Sequence, residues 1–109
     1  MKVVMGQLNT FVGDIKGNTE KVIQVSREAD TNGQDTLVVF PELTLTGYPP
    51  EDLLLRDSLQ AQIESALRRL ASELPPHLYV VVGYPRRCHD SLSNAAGVLH
   101  GGRMVGEYF

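Results

Sequence analysis

An α/β fold is predicted by three features of this 109-residue chain: a helical pattern set between two short β-branched runs, a longer amphipathic helix with clear ends, and a glycine-centred hairpin. "KVVMGQL" (2–8) reads as a buried strand, and "NTFVGDIKG" after it as a loop. From Asn18, a candidate N-cap, Val22, Val25 and Ala29 recur at helical spacing with Ile23 and Ser26 beside them. "TNGQD" ends that helix, and "TLVVF" (36–40) reads as the next strand. With connections this short, the three elements form a βαβ unit with parallel strands.

The second helix is marked by Leu59, Ile63, Ala66, Leu67, Leu70 and Leu74 at helical spacing. Asp57 and Gln60 resemble a capping box at its start, and Pro75-Pro76 cannot continue it. "LYVVVG" (78–83) reads as a third buried strand and "YPRRCHDS" as a loop. "SNAAGVL" and "RMVGEYF" then flank "HGG", where glycine supplies the positive φ that a tight turn requires. An apolar run at Phe109, on the edge of a partly built sheet, suggests a domain cut short.

Composition removes several function classes. With 42% hydrophobic and 21% charged residues the chain matches folded globular usage, so disorder is not expected. Net charge is −3 and the basic residues are scattered, which argues against nucleic acid as a partner. A lone cysteine, the lack of a leader pattern and the absence of any long apolar span make a cytoplasmic location the expectation, without membrane association.

One residue stands out as a candidate for chemistry. In open α/β sheets, ligands gather beyond the carboxyl ends of the strands. Glu42 falls there, directly after Pro41, which ends the strand and fixes the angle at which the chain leaves it. Its neighbours Val38, Val39, Phe40, Leu43 and Leu45 are apolar, and a dry setting would favour proton uptake near neutral pH, as a general base requires. A glutamate capping a turn or facing water is the competing reading.

Tyr48, in "TGYPP", is placed by Gly47 and stiffened by Pro49-Pro50, so it could line a pocket or pack on the loop's own leucines. Cys88 in "RRCHD" has cations and His89 beside it, but adjacent loop residues rarely aim at one reacting atom. His77, His89 and His100 fit no compact metal-ligand spacing. The glycines of "GVLHGGRMVG" open no helix and make no phosphate-binding loop. Asp14, Glu51 and Asp52 read as loop and helix-start charges.

Taken in order, "KVVMGQLNTFVGDIKGN", "DTLVVFPELTLTGYPPEDLLLR", "YVVVGYPRR" and "SNAAGVLHGGRMVGEYF" resemble the carbon-nitrogen hydrolase (nitrilase) superfamily. "FPEL" after a strand is shared across it, whereas "LTGYPPEDLLLR" is similar to the glutaminase domain of glutamine-dependent NAD⁺ synthetases. The resemblance implies an α-β-β-α sandwich, of which these residues supply roughly the first half, commonly assembled into homo-oligomers. It implies a Glu-Lys-Cys triad that hydrolyses an amide through a thioester.

Glu42 matches the family's general base, and Tyr48 matches a tyrosine near the bound glutamine. The family lysine would fall just past Phe109 and the cysteine further on; Cys88 precedes both and does not correspond to the nucleophile. This chain is therefore expected to be inactive alone and to hold no cofactor. ATP and Mg²⁺ would serve a separate synthetase domain that amidates deaminido-NAD⁺ with the ammonia released. The alternatives are a non-catalytic α/β module and a fragment of another amidase of the superfamily, such as an ω-amidase or carbamoylase.

Overall fold

The computed structural model describes residues 1–30, 35–47, 57–88 and 91–109. Tyr48, Glu51, Asp52 and His89 lie outside the described residues, so the expectations placed on them find no counterpart here. Five strands, β1 (Lys2–Met5), β2 (Thr36–Val39), β3 (Tyr79–Cys88), β4 (Ser91–His100) and β5 (Arg103–Tyr108), form one sheet in sequence order. Helix α1 (Ile15–Ala29) joins β1 to β2, and α2 (Asp57–Glu73) precedes β3. The first three strands are parallel and the last three antiparallel, so β3 belongs to both patterns.

The βαβ unit, the second helix and the hairpin are as expected. Gly101 and Gly102, at φ 64° and 82°, make the turn between β4 and β5. Helix α2 stops at Glu73, ahead of Pro75-Pro76.

Both helices pack on one face of the sheet. Val22, Ile23 and Ala29 of α1 and Leu59, Ile63, Leu67 and Leu70 of α2 join Val38, Val80, Val82 and Leu99 in one hydrophobic cluster. Alternation along the strands puts the other residues on the opposite, open face. There Val3, Leu37 and Tyr79 lie side by side in register, as do Met5, Val39, Val81 and Val98. Val3 is 59% exposed and Met5 67%, so β1 is not the buried strand expected but an edge strand with one bare face.

Three local expectations change. The N-cap of α1 is Asp14, whose side chain accepts from the Gly17 N–H at 3.1 Å, and not Asn18. Asn18 lies fully buried inside the helix. Its Nδ2 donates to the carbonyls of Phe11 (2.8 Å) and Leu45 (3.0 Å), and its Oδ1 accepts from the Phe11 N–H at 3.0 Å. These three bonds to loop backbone outweigh the pull toward a cap, because they satisfy groups that packing has removed from water.

At α2, Gln60 does not close a capping box. Its amide donates to the Pro85 carbonyl (3.3 Å) and accepts from the Arg87 N–H (3.3 Å), while Asp57 pairs with Arg87.

Residues 84–88, expected in a loop, continue β3 against β4, with Pro85 opposite Asn94. Proline is tolerated because β2 pairs with β3 only as far as Val81, leaving the later part with a single strand neighbour. Fully buried Tyr84 and, two residues on, Arg86 face the helices. The Tyr84 hydroxyl donates to Glu107 of β5, and Arg86 pairs with Glu107 at 2.7 Å and with Glu64 of α2.

Candidate functional site

The segment "FPELTLTG" leaves the sheet at the end of β2 and returns at once as a tight turn. The Phe40 N–H still reaches the Val81 carbonyl (2.9 Å), extending the parallel pairing by one bond. After Pro41 the ladder stops. The Thr44 hydroxyl donates to the Pro41 carbonyl, the Gly47 N–H donates to the Leu43 carbonyl at 2.8 Å, and the Leu45 N–H to the Gly83 carbonyl at 3.2 Å. From outside, the Gly13 N–H donates to the Thr46 carbonyl at 3.0 Å, and Asn18 holds the Leu45 carbonyl. Leu43, Thr44, Leu45 and Thr46 are buried, which anchors the turn from beneath.

Backbone strain sits next to the carboxylate. Leu43 has φ 55°, the one non-glycine residue at positive φ among those described. The left-handed region costs a residue with a Cβ about 1–2 kcal/mol, a cost met here by the burial of its side chain. Strain of this kind gathers where a neighbouring group must be held at a set angle. Glu42 is that neighbour.

The turn can lie this close to β3 because residue 83 is glycine. A Cβ there would stand 2.7 Å from the Leu43 nitrogen and 3.0 Å from the Glu42 Cα. Gly83 pairs with Ala96 across to β4, so two minimal residues floor the open face beside Glu42. The result is an open hollow of about 330 Å³, lined by Phe40, Glu42, Gly83, Asn94, Ala96 and Tyr108 among others. Asn94 projects from the same side of β4 as Ala96, and its Nδ2 donates to Glu42 Oε1. A smaller hollow of about 170 Å³, with Leu8, Thr10 and Thr44, lies on the other side of Glu42.

Glu42 is exposed, so the dry setting expected of its carboxylate is not what the chain provides. Of its apolar neighbours in sequence, Val38 and Leu45 are fully buried, whereas Val39 lies on the open sheet face and Phe40 lines one side of the hollow, so the carboxyl group is not enclosed. Cys88 ends β3, opposite Ser91, away from the Glu42 turn in register. Among the described residues no cluster of His, Cys, Asp or Glu could hold a metal ion. No helix among them is long and apolar enough to cross a membrane. A hollow of about 210 Å³ between the helices is lined by Lys16, Thr19, Gln62 and Arg69, and there Arg69 pairs with Glu20 and Glu73.

A carboxylate held just past a parallel strand, over an open sheet face backed by helices, defines the class: the helix-and-sheet half of a nitrilase-type sandwich. The chain belongs to the carbon-nitrogen hydrolase family, whose profile matches residues 2–108. It is 38% identical over 108 residues to a glutamine-dependent NAD(+) synthetase of Xanthomonas campestris, covering 99% of this chain and 19% of that protein. The solved structure of a glutamine-dependent NAD+ synthetase from Acinetobacter baumannii superposes with a TM-score of 0.85 at 33% identity, covering 97% of this chain and 20% of the other. An amidase from Nesterenkonia sp. superposes at 0.77 with 21% identity, covering 99% of this chain and 41% of the other, and shows the same fold. The chain thus spans about a fifth of the length of the synthetase relatives.

Proposed function

We propose that this chain forms the first part of a glutaminase domain, in which Glu42 is the general base of an amide hydrolysis that releases ammonia from glutamine. The observation that carries it is the Glu42 turn: a carboxylate fixed beyond the end of β2 by a strained backbone, seated on Gly83 and opening onto the hollow. The names of the synthetase relatives support glutamine as the substrate. Glu42 would take the proton from a cysteine thiol outside this chain, and the thiolate would attack the amide carbonyl. A lysine, also outside the chain, would stabilise the charge that develops on the oxygen. Tyr48, six residues from Glu42 in sequence, is proposed to contact the bound glutamine.

The ammonia would pass to a synthetase domain that uses ATP and Mg²⁺ to amidate deaminido-NAD⁺, in the cytoplasm and within a homo-oligomer. The chain alone has one member of the triad, so it is expected to release no ammonia from glutamine. A coupled ammonia assay checks this. Release by the isolated chain, abolished by Glu42→Gln, would refute it.

A second reading, a non-catalytic module that acts by association, is favoured by exposed apolar side chains at both edges of the sheet, Val3 and Met5 on β1 and Val105 on β5. The two readings separate when this chain is joined to the remaining segment of the Xanthomonas domain. The first expects glutaminase activity from the chimera, and the second expects none.

A further inference from the structure

We propose that Asn94 is the positioning residue for Glu42, fixing the carboxylate through one oxygen so that the other is left to accept the proton. Resting on the assignment of Glu42 as the base, it goes beyond that assignment by giving a residue of β4 a part in the reaction. The turn that carries Glu42 is held by several independent bonds made by its neighbours, but the Glu42 side chain has its own rotatable bonds and stands exposed. Among the described residues Asn94 donates a hydrogen bond to this side chain, from Nδ2 to Oε1 across 52 positions of sequence.

The chemistry of the donor matters. A carboxamide is neutral across the working pH range, so it donates to the carboxylate without competing for the proton. A lysine or arginine at position 94 would hold the charge more tightly and weaken the base. Contact with Oε1 leaves Oε2 as the acceptor.

Placement on β4 adds to this. Asn94 is opposite Pro85, two positions along from the Gly83–Ala96 pair, so its amide reaches over the small-residue floor to the carboxylate. Glu42 and Asn94 both line the larger hollow. Because the bond is exposed, it adds little to folding stability. Its effect is on direction, and a base displaced by an ångström can cost about 10²-fold in rate.

Two measurements test the assignment. In the isolated chain, the Asn94 side-chain amide protons are followed by NMR through the carboxylate pH range, with Glu42→Gln alongside. They are expected to shift with pH in the unmodified chain and to stay flat in Glu42→Gln; no shift in the unmodified chain overturns the proposal. In the chimera with the Xanthomonas segment, Asn94→Ala is expected to lower kcat about 10²-fold with KM within about twofold, and Asn94→Gln to recover part of the loss. An unchanged kcat in Asn94→Ala, while Glu42→Gln abolishes activity, overturns the role of Asn94 alone. Activity that survives Glu42→Gln overturns the assignment of the base itself. If the chimera does not fold, the titration in the isolated chain decides.

Discussion

Gly83→Ala is expected to be among the most damaging single-methyl additions in this chain. The new Cβ would sit 2.7 Å from the Leu43 nitrogen and 3.1 Å from the Pro41 carbonyl oxygen, where ordinary contact starts at 3.4 Å. A shortfall of about 0.7 Å must be found between backbone atoms that cannot rotate away, since packed interiors leave few voids to take it up. Overpacking of this kind costs about 1–3 kcal/mol. The Leu45 N–H bond to the Gly83 carbonyl is lost with the displacement, adding about 1 kcal/mol. Replacing glycine in a strand returns about 0.5–1 kcal/mol through the unfolded chain, so the net loss is about 1–3.5 kcal/mol, with a middle value of about 2 kcal/mol.

Urea unfolding followed by circular dichroism reads this directly. With a slope near the middle of the usual range, about 2 kcal/mol per M, the midpoint should fall by about 1 M. The control is Gly106→Ala, where the new Cβ meets the ring of Tyr108, which is 66% exposed and can turn aside. That midpoint should move by less than about 0.5 M, from a loss under about 1 kcal/mol. Equal midpoints for the two variants, with the Glu42 amide resonance unmoved in Gly83→Ala, would refute the seat assigned to Gly83.

Asn18→Ala strips three backbone groups of Phe11 and Leu45 of their partner, and at about 1 kcal/mol each the loss should be near 3 kcal/mol, measured by the same unfolding; a helix-cap effect of under about 1 kcal/mol would contradict it. Stability should also depend on pH through the Tyr84–Glu107 contact. Burial and then the Glu107 carboxylate push the Tyr84 hydroxyl well above its ordinary range, so its contribution is intact below about pH 10 and is lost as pH rises toward the raised value. Burial alone would raise Glu107, but hydrogen bonds from Tyr84 and Arg86 outweigh it and hold the carboxyl below its usual range. Its contribution is therefore present above about pH 4 and disappears as pH falls through the lowered value. Tyr84→Phe should flatten the alkaline limb and weaken the acid one, and a urea midpoint against pH that matches the unmodified chain would exclude this. Finally, Met5→Lys with Val105→Lys should reduce self-association by tenfold or more in sedimentation runs, since burying one such side chain is worth about 1.5–3 kcal/mol. A chain that is monomeric before the change would contradict this.

The two helices, the βαβ unit and the hairpin were legible because each is written in local periodicity and turn chemistry. What sequence could not show is which side chains reach across the fold. Asn18 has the residue type of a cap and sits near a helix start, yet three long-range bonds turn it inward. Pro85 suggested a loop, since a proline inside a strand is acceptable only once its neighbour on one side has ended, which is a property of the sheet. Glu42 was found by its place after a strand and a proline. Its exposure was not, because apolar neighbours in sequence need not be neighbours in space. Asn94, read as part of a hairpin strand, gave no sign of facing a carboxylate 52 residues earlier. The available hint was alternation, which places it on the face away from Ala95.

Because the strands lie in the sheet in the order in which they are made, each one emerging during synthesis finds its partner already present. Pairing can advance from β1 outward without waiting for distant segments, a route that limits exposure of unpaired edges on the way. The Glu42 turn is the exception to this running order. It is translated with β2 but gains its seat only when Gly83 arrives some forty residues later. The strained Leu43 conformation thus lacks the Leu45–Gly83 bond and the close seat on Gly83 until β3 docks, and the final placement of Glu42 is one of the later events in building the sheet.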